Sequence, residues 1–249
     1  MPVNTLKTLI YGGCFADTEF KVEMVTLWAR LVRHLNPDTD IALFDSASPF
    51  DPQIFLPKKL NISVHRFEDN VGHLSHGGGD GAGRTLCEGL QYAIDHDYDY
   101  AVHLGTDMFF AKSAEEDVAK RMSLDALACV CLPNSLYQFP EWELSGFECQ
   151  WAMESGFIDK YDWKSVRGPF PQVPRPSLLK KYVPEWRLQE AAGDALWLLP
   201  YSGAHNVDNR VTHENMDAMF PYHPPVWLHM AKDIRTFLRF IEVNGITLP

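Results

Sequence analysis

The chain has 249 residues, of which 46% are hydrophobic and 22% charged, a size and mix that support one folded body with its own core and exclude a disordered or fibrous polymer. A formal net charge of -11 argues against a nucleic-acid partner, because such binding needs clustered Lys and Arg to displace counterions. No apolar run approaches the roughly 20 residues that cross a bilayer, and MPVNTLKTLIYGG lacks the long apolar stretch of a signal peptide, so a cytoplasmic protein is expected, with peripheral membrane contact left open.

Thr8 to Tyr11 (TLIY) is a short apolar run that stops at Gly12 and Gly13, as where a buried strand meets a loop. Asp17 and Thr18 can cap a helix whose buried face is Val22, Val25, Trp28, Ala29, Val32 and Leu35. After the turn Asn36-Pro37-Asp38, Ile41 to Phe44 reads as a second strand ending at Asp45 and Ser46, and Ile62 to Arg66 as a third. A glycine-rich loop, Gly72 to Gly83, precedes a helix marked by Leu86, Leu90, Ala93 and Ile94, and Tyr100 to Leu104 is a fourth strand.

Strands alternating with helices imply parallel pairing through right-handed crossovers, with helices on both faces of the sheet. Ligands of such sheets sit at the carboxyl ends of the strands. Here those ends are Gly12 and Gly13, Asp45 and Ser46, and Gly105 to Asp107, Thr106 included. Beyond Leu132 the chain turns rich in aromatics and prolines without a clean period, which suggests a lobe with long loops; regular structure resumes at Trp186 to Ala192, Ala195 to Pro200 and a last helix from about Ala231 to Val243. The expected organisation is a single domain over 1–249, with a ligand-binding lobe over 1–115 and a second lobe over 116–249 that ends in the C-terminal helix. The five cysteines, Cys14, Cys87, Cys129, Cys131 and Cys149, show no CxxC pair and are expected to be reduced thiols.

The segment Tyr98 to Phe110, YDYAVHLGTDMFF, delivers Asp107 at the end of an apolar strand just before apolar residues resume. It resembles the metal-binding strand end of GT-A glycosyltransferases, in which an Asp-x-Asp pair occupies this place. The first acid of the pair is Gly105 here, so the resemblance carries over to Asp107 alone. It implies a Rossmann-like, mostly parallel α/β sheet of GT-A type with a loop-rich acceptor lobe, a nucleotide-sugar donor, a glycan or glycolipid acceptor, and Mn2+ or Mg2+. A cation is chemically apt, since a nucleoside diphosphate leaving group develops charge that hard ligands and a divalent ion can neutralise. Without one, an acid about 5 Å from a phosphate charge costs roughly 3 kcal/mol at an effective dielectric of 20.

The same resemblance assigns further roles. His229 and Lys232, in PPVWLHMAK, would be a second metal ligand and a diphosphate contact, Arg84 would face the diphosphate or sugar, and Asp45 the nucleoside. Gly12, Gly13 and Thr106 line the same strand ends as donor-site positions, and Glu190 or Asp194, in LQEAAGDALWL, is where a general base is sought beside Asp107. The glycine-rich loop lacks a P-loop ending and any GxGxxG register, so on its own residues it says only that backbone can approach a ligand. Two alternatives stay open. A sugar nucleotidylyltransferase would carry its glycine-rich loop directly after the first strand, which GGCFADTEFK matches poorly, and a non-catalytic nucleotide- or glycan-binding relative would account for the acid missing at Gly105.

Overall fold

The computed structural model describes residues 7–70, 72, 79–98, 100–113, 127–130, 150–154, 196–199, 203–205, 210–229, 231 and 233–248. At its centre are four parallel strands, β1 (Thr8–Cys14), β2 (Asp40–Asp45), β3 (Ser63–Arg66) and β4 (Tyr100–Leu104), with β1 between β2 and β4. Three strands from later in the chain, β6 (Leu127–Val130), β7 (Gln150–Glu154) and β8 (Leu196–Leu199), extend this sheet to the order β3-β2-β1-β4-β7-β6-β8, with β7 antiparallel to both neighbours. A second sheet of three strands joins β5 (Met108–Phe110) to β10 (Trp227–His229) and β9 (Gly203–His205).

Period-two alternation sends Ile10, Leu43 and Val102 to one face of the large sheet and Tyr11, Phe44 and His103 to the other. The first face is covered by helix α1 (Glu19–Leu35), whose N-cap Thr18 accepts a hydrogen bond from the Lys21 N–H and whose Val25, Trp28, Leu31 and Val32 are buried. The opposite face is covered by α3 (Gly79–Asp95), placed after a short helix α2 (Pro52–Phe55) in the β2–β3 connection. There the Tyr11 hydroxyl donates to the Leu86 carbonyl at 3.2 Å, and Gly89 lies flat on the Tyr11 ring, where a Cβ would come within 2.1 Å of Cε2. With a helix on each face, the carboxyl ends of β1 to β4 lie together along one edge of the sheet, where folds of this kind have their ligand crevice.

The second sheet rests on the C-terminal helix. After α4 (Met216–Met219) and β10, helix α5 (Ile234–Val243) is capped by Asp233, which accepts from the Thr236 N–H, and presents Phe237, Phe240 and Ile241 to the core. Phe237 packs on Phe109 of β5 at 4.1 Å between ring centroids. Both rings are fully buried, and each such burial is worth about 1.5–3 kcal/mol, so β5 is anchored to α5 immediately beside Asp107.

Three boundaries depart from the sequence reading. β1 runs on through Gly12 and Gly13 to Cys14, because those glycines answer close packing and not a turn. α3 begins inside the glycine-rich run, at Gly79, since its packing on Tyr11 outweighs the poor helix propensity of Gly81 and Gly83. α5 starts at Ile234, not Ala231, because Asp233 supplies the cap. Cys14 and Cys87 are buried free thiols. The helix expected at Trp186 to Ala192 and most of the aromatic lobe lie outside the described residues.

Candidate active site

Asp107 is placed by a reversal of the chain. β4 ends at Leu104, the Met108 N–H closes a turn onto the Gly105 carbonyl at 2.9 Å, and the chain returns as β5. β10 pairs antiparallel with β5 so that His229 stands opposite Met108, and its Nε2 comes within 3.4 Å of Asp107 Oδ1. The His229 side chain is 10% exposed and that of Asp107 42%, so the imidazole is nearly buried while the acid beside it meets solvent. Over a hundred residues of chain separate the two, and β10 is what brings them together. β9 pairs in parallel with β10 and puts His205 in register with His229, a juxtaposition that no local sequence pattern announced.

Next to this pair the ends of β1, β4 and α3 interlock. A Cβ on Gly12 would meet the Leu104 carbonyl at 2.4 Å and the Trp28 ring at 3.0 Å, and one on Gly13 would lie 2.5 Å from the Thr85 methyl. The Thr106 hydroxyl donates to the Gly13 carbonyl at 2.7 Å. Gly12, Gly13 and Thr106, expected to face a ligand, are thus engaged with one another and with neighbouring elements. Gly105 has room by contrast: its Cβ would meet only Asp107 Oδ1, at 3.0 Å.

Asp45 is turned inward, contrary to the expectation that it meets a nucleoside. It is fully buried, accepts from the Ser48 N–H at 3.2 Å and from the Ser48 hydroxyl, and sits 3.5 Å from Arg66 Nε. Ser48 accepts in turn from the Ala16 N–H at 2.7 Å, and Arg66 bridges to Asp51 at 2.8 Å. The acid therefore ties the loops after β1 and β2 to the end of β3. Burial, followed by the Asp45 charge, holds the neighbouring Cys14 thiol protonated well above its usual range.

Arg84, in the first turns of α3, reaches towards the far side of the crevice. Its Nη1 lies 2.7 Å from Asp69 Oδ1 and its guanidinium stacks 4.0 Å over the Phe67 ring. Phe67 and Asp69 follow β3, three strand positions from β4, a lateral distance of about 14 Å at 4.8 Å per strand. Arg84 and Asp107 are not brought together, and they lie at separate strand ends of the same sheet. Between them His103 lies tilted against Tyr11 with ring centroids 5.1 Å apart, and burial holds its imidazole neutral down to about 4 despite the opposing pull of Asp107.

The Asp107–His229 donors fit a divalent cation. Two ligands on adjacent corners of an octahedron with bonds of about 2.1 Å stand about 3 Å apart, close to the 3.4 Å observed, and a carboxylate oxygen with an imidazole nitrogen suits Mn2+. Among the described residues no group of three or more His, Cys, Asp or Glu forms a cation site. Lys232, Glu190 and Asp194 lie outside the described residues.

No family model and no curated protein matches the sequence. Solved structures do match. The apo WbbM bifunctional glycosyltransferase superposes with a TM-score of 0.58 at 11% identity, over 100% of this chain and 51% of that one. The galactosyltransferase LgtC, in complex with donor and acceptor sugar analogs, gives 0.49 at 12% identity over 97% of both chains. TarS 1-349 of S. aureus, in complex with UDP, gives 0.46 at 15% identity over 78% of this chain and 58% of that one. The chain spans about half the length of the WbbM chain. Its fold is that of the GT-A glycosyltransferases.

Proposed function

We propose that this chain is a metal-assisted glycosyltransferase that moves a sugar from a nucleotide-sugar donor to a glycan or lipid-linked acceptor. The observation that supports it most is the Asp107–His229 pair, an oxygen and a nitrogen donor 3.4 Å apart at the carboxyl end of a GT-A sheet. Asp107 and His229 would hold Mn2+ or Mg2+, and such an ion, when bound, neutralises charge on a diphosphate leaving group. The remaining coordination positions suit phosphate oxygens and water, as is usual for these cations.

The protein's own residues do the rest. The turn 105–107 leaves the Asp107 carboxylate 42% exposed and β10 brings the His229 imidazole against it, so the two donors would be set before a ligand arrives. Lys232, three positions past His229, would add fixed positive charge against the diphosphate, and Glu190 or Asp194 would take the acceptor proton if the reaction inverts. The nucleoside would extend along the strand ends towards Phe67 and Arg84, and Asp45 would shape that floor without touching it.

The test is thermal denaturation with UDP, GDP, dTDP, CMP and ADP, each with and without Mn2+. A nucleotide at about 100 times its Kd adds about 2.7 kcal/mol, which at 2–4 °C per kcal/mol raises Tm by about 5–10 °C. Stabilisation by one nucleotide that grows with Mn2+ and vanishes in D107A is the expected result. Silence towards every nucleotide refutes the reading. Stabilisation that ignores both Mn2+ and D107A transfers the chain to the non-catalytic nucleotide-binding relatives.

A further inference from the structure

Thr106 stands between the two positions at which GT-A enzymes carry their paired acids, yet its side chain does not face the crevice. The residue is 6% exposed, and its hydroxyl donates to the Gly13 carbonyl at 2.7 Å. That bond crosses from the end of β4 to the end of β1. The ladder between these strands has its last paired positions at Tyr11 and His103, two residues short of Gly13 and three short of Thr106, so the hydroxyl carries the connection past the point where the backbone pairing stops. Gly13 is itself wedged against the stiff, β-branched Thr85 of α3 and cannot drift towards the helix. The Met108–Gly105 bond shapes the turn but does not fix its direction relative to β1.

We infer that Thr106 is a positioning residue: its buried hydroxyl pins the turn 105–107 to the end of β1 and so sets the Asp107 carboxylate where it meets His229. This rests on the metal-assisted reading of the site. It also explains how one carboxylate can serve without the acid absent at Gly105, because the remaining donor is held in place and not left to search. The turn is anchored on three sides: to β1 through Thr106, to β10 through the Asp107–His229 contact, and to α5 through Phe109.

The experiment compares wild type, T106V, T106S and D107N. Valine keeps the shape and removes the donor, whereas serine keeps the donor. Binding of Mn2+ alone is followed by electron paramagnetic resonance well below the Tm of each variant, and crystal structures of wild type and T106V are solved alongside. Loss of one hydroxyl–carbonyl bond is expected to weaken Mn2+ binding about tenfold in T106V, with T106S close to wild type and the Asp107 carboxylate of T106V displaced from His229. A purely structural role would lower Tm while leaving Mn2+ affinity and the Asp107–His229 separation unchanged, and that result overturns the inference. If wild type binds no Mn2+, the metal reading falls, and the crystal comparison still decides whether Thr106 sets the carboxylate.

Discussion

Gly13→Ala tests whether the strand end is packed as tightly as the structure shows. The backbone at Gly13 is ordinary strand, so alanine adds no conformational strain, and its effect must come from the new methyl. That methyl would stand 2.5 Å from Thr85 Cγ2, 2.7 Å from its Oγ1 and 2.9 Å from its Cβ. Thr85 is buried on a helix with both Cγ2 and Oγ1 turned towards Gly13, so either of its helical rotamers leaves one branch and the Cβ in the way of the methyl. Overpacking of this kind costs about 1–3 kcal/mol, or about 2–12 °C in Tm for a chain of this size. Thr85→Ala removes the two shortest contacts, so the double variant G13A/T85A should be more stable than the sum of the single effects by about 1 kcal/mol or more. Gly105→Ala is the control: its methyl meets a single atom, Asp107 Oδ1 at 3.0 Å, and stability should barely change. Urea denaturation of the four variants measures all of this. If the G13A and T85A effects simply add, or if G105A costs as much as G13A, the packing argument is wrong.

Three further predictions follow from individual contacts. Burial holds His103 neutral down to about 4, so the unfolded chain binds the extra proton first as pH falls from the usual 6.5, and stability contributed by the neutral ring is complete above that pH and drains between about 6.5 and 4; the full difference is about 3 kcal/mol, and H103F should lose less stability over that window than wild type in urea titrations at stepped pH. H229Q should weaken Mn2+ binding about tenfold or more, as loss of one of two protein ligands, with little change in Tm without metal, measured by the same resonance titration. Asp69 is 65% exposed, so D69N should cost under about 1 kcal/mol, while R84A should cost more because the guanidinium covers the Phe67 ring; equal losses in urea denaturation would show that the stacking adds nothing.

The parallel sheet was legible because its signals are local. β1, β2 and β4 are short apolar runs closed by glycine or a polar residue, and α1 carries its cap at Thr18 and its buried stripe at helical spacing. What escaped was set by distant partners. β5 and β10 have three residues each, and nothing in MFF or WLH distinguishes a strand from a loop until the two are paired. Gly12 and Gly13 looked like a turn because glycine in sequence does not say whether it grants freedom or makes room; here Trp28, Leu104 and Thr85 decide that it makes room.

The site shows the same division more sharply. Asp45 and Asp107 each follow an apolar strand of the same sheet, and by sequence alone they are equivalent acids at equivalent strand ends. The structure separates them by what comes next along the chain. After Asp45, Ser48 folds back to satisfy the carboxylate and Arg66 arrives from β3, so the acid is enclosed and its charge is used within the protein. After Asp107 the chain reverses into β5, and β10 brings the His229 imidazole to within 3.4 Å while the carboxylate stays 42% exposed. A buried acid bonded within its own loop is structural, whereas a half-exposed carboxylate beside an imidazole is what the proposed cation would need. That distinction depends on the neighbours delivered by β3 and β10, which no local pattern around either acid announces, so the enclosure of Asp45 was not legible in the sequence.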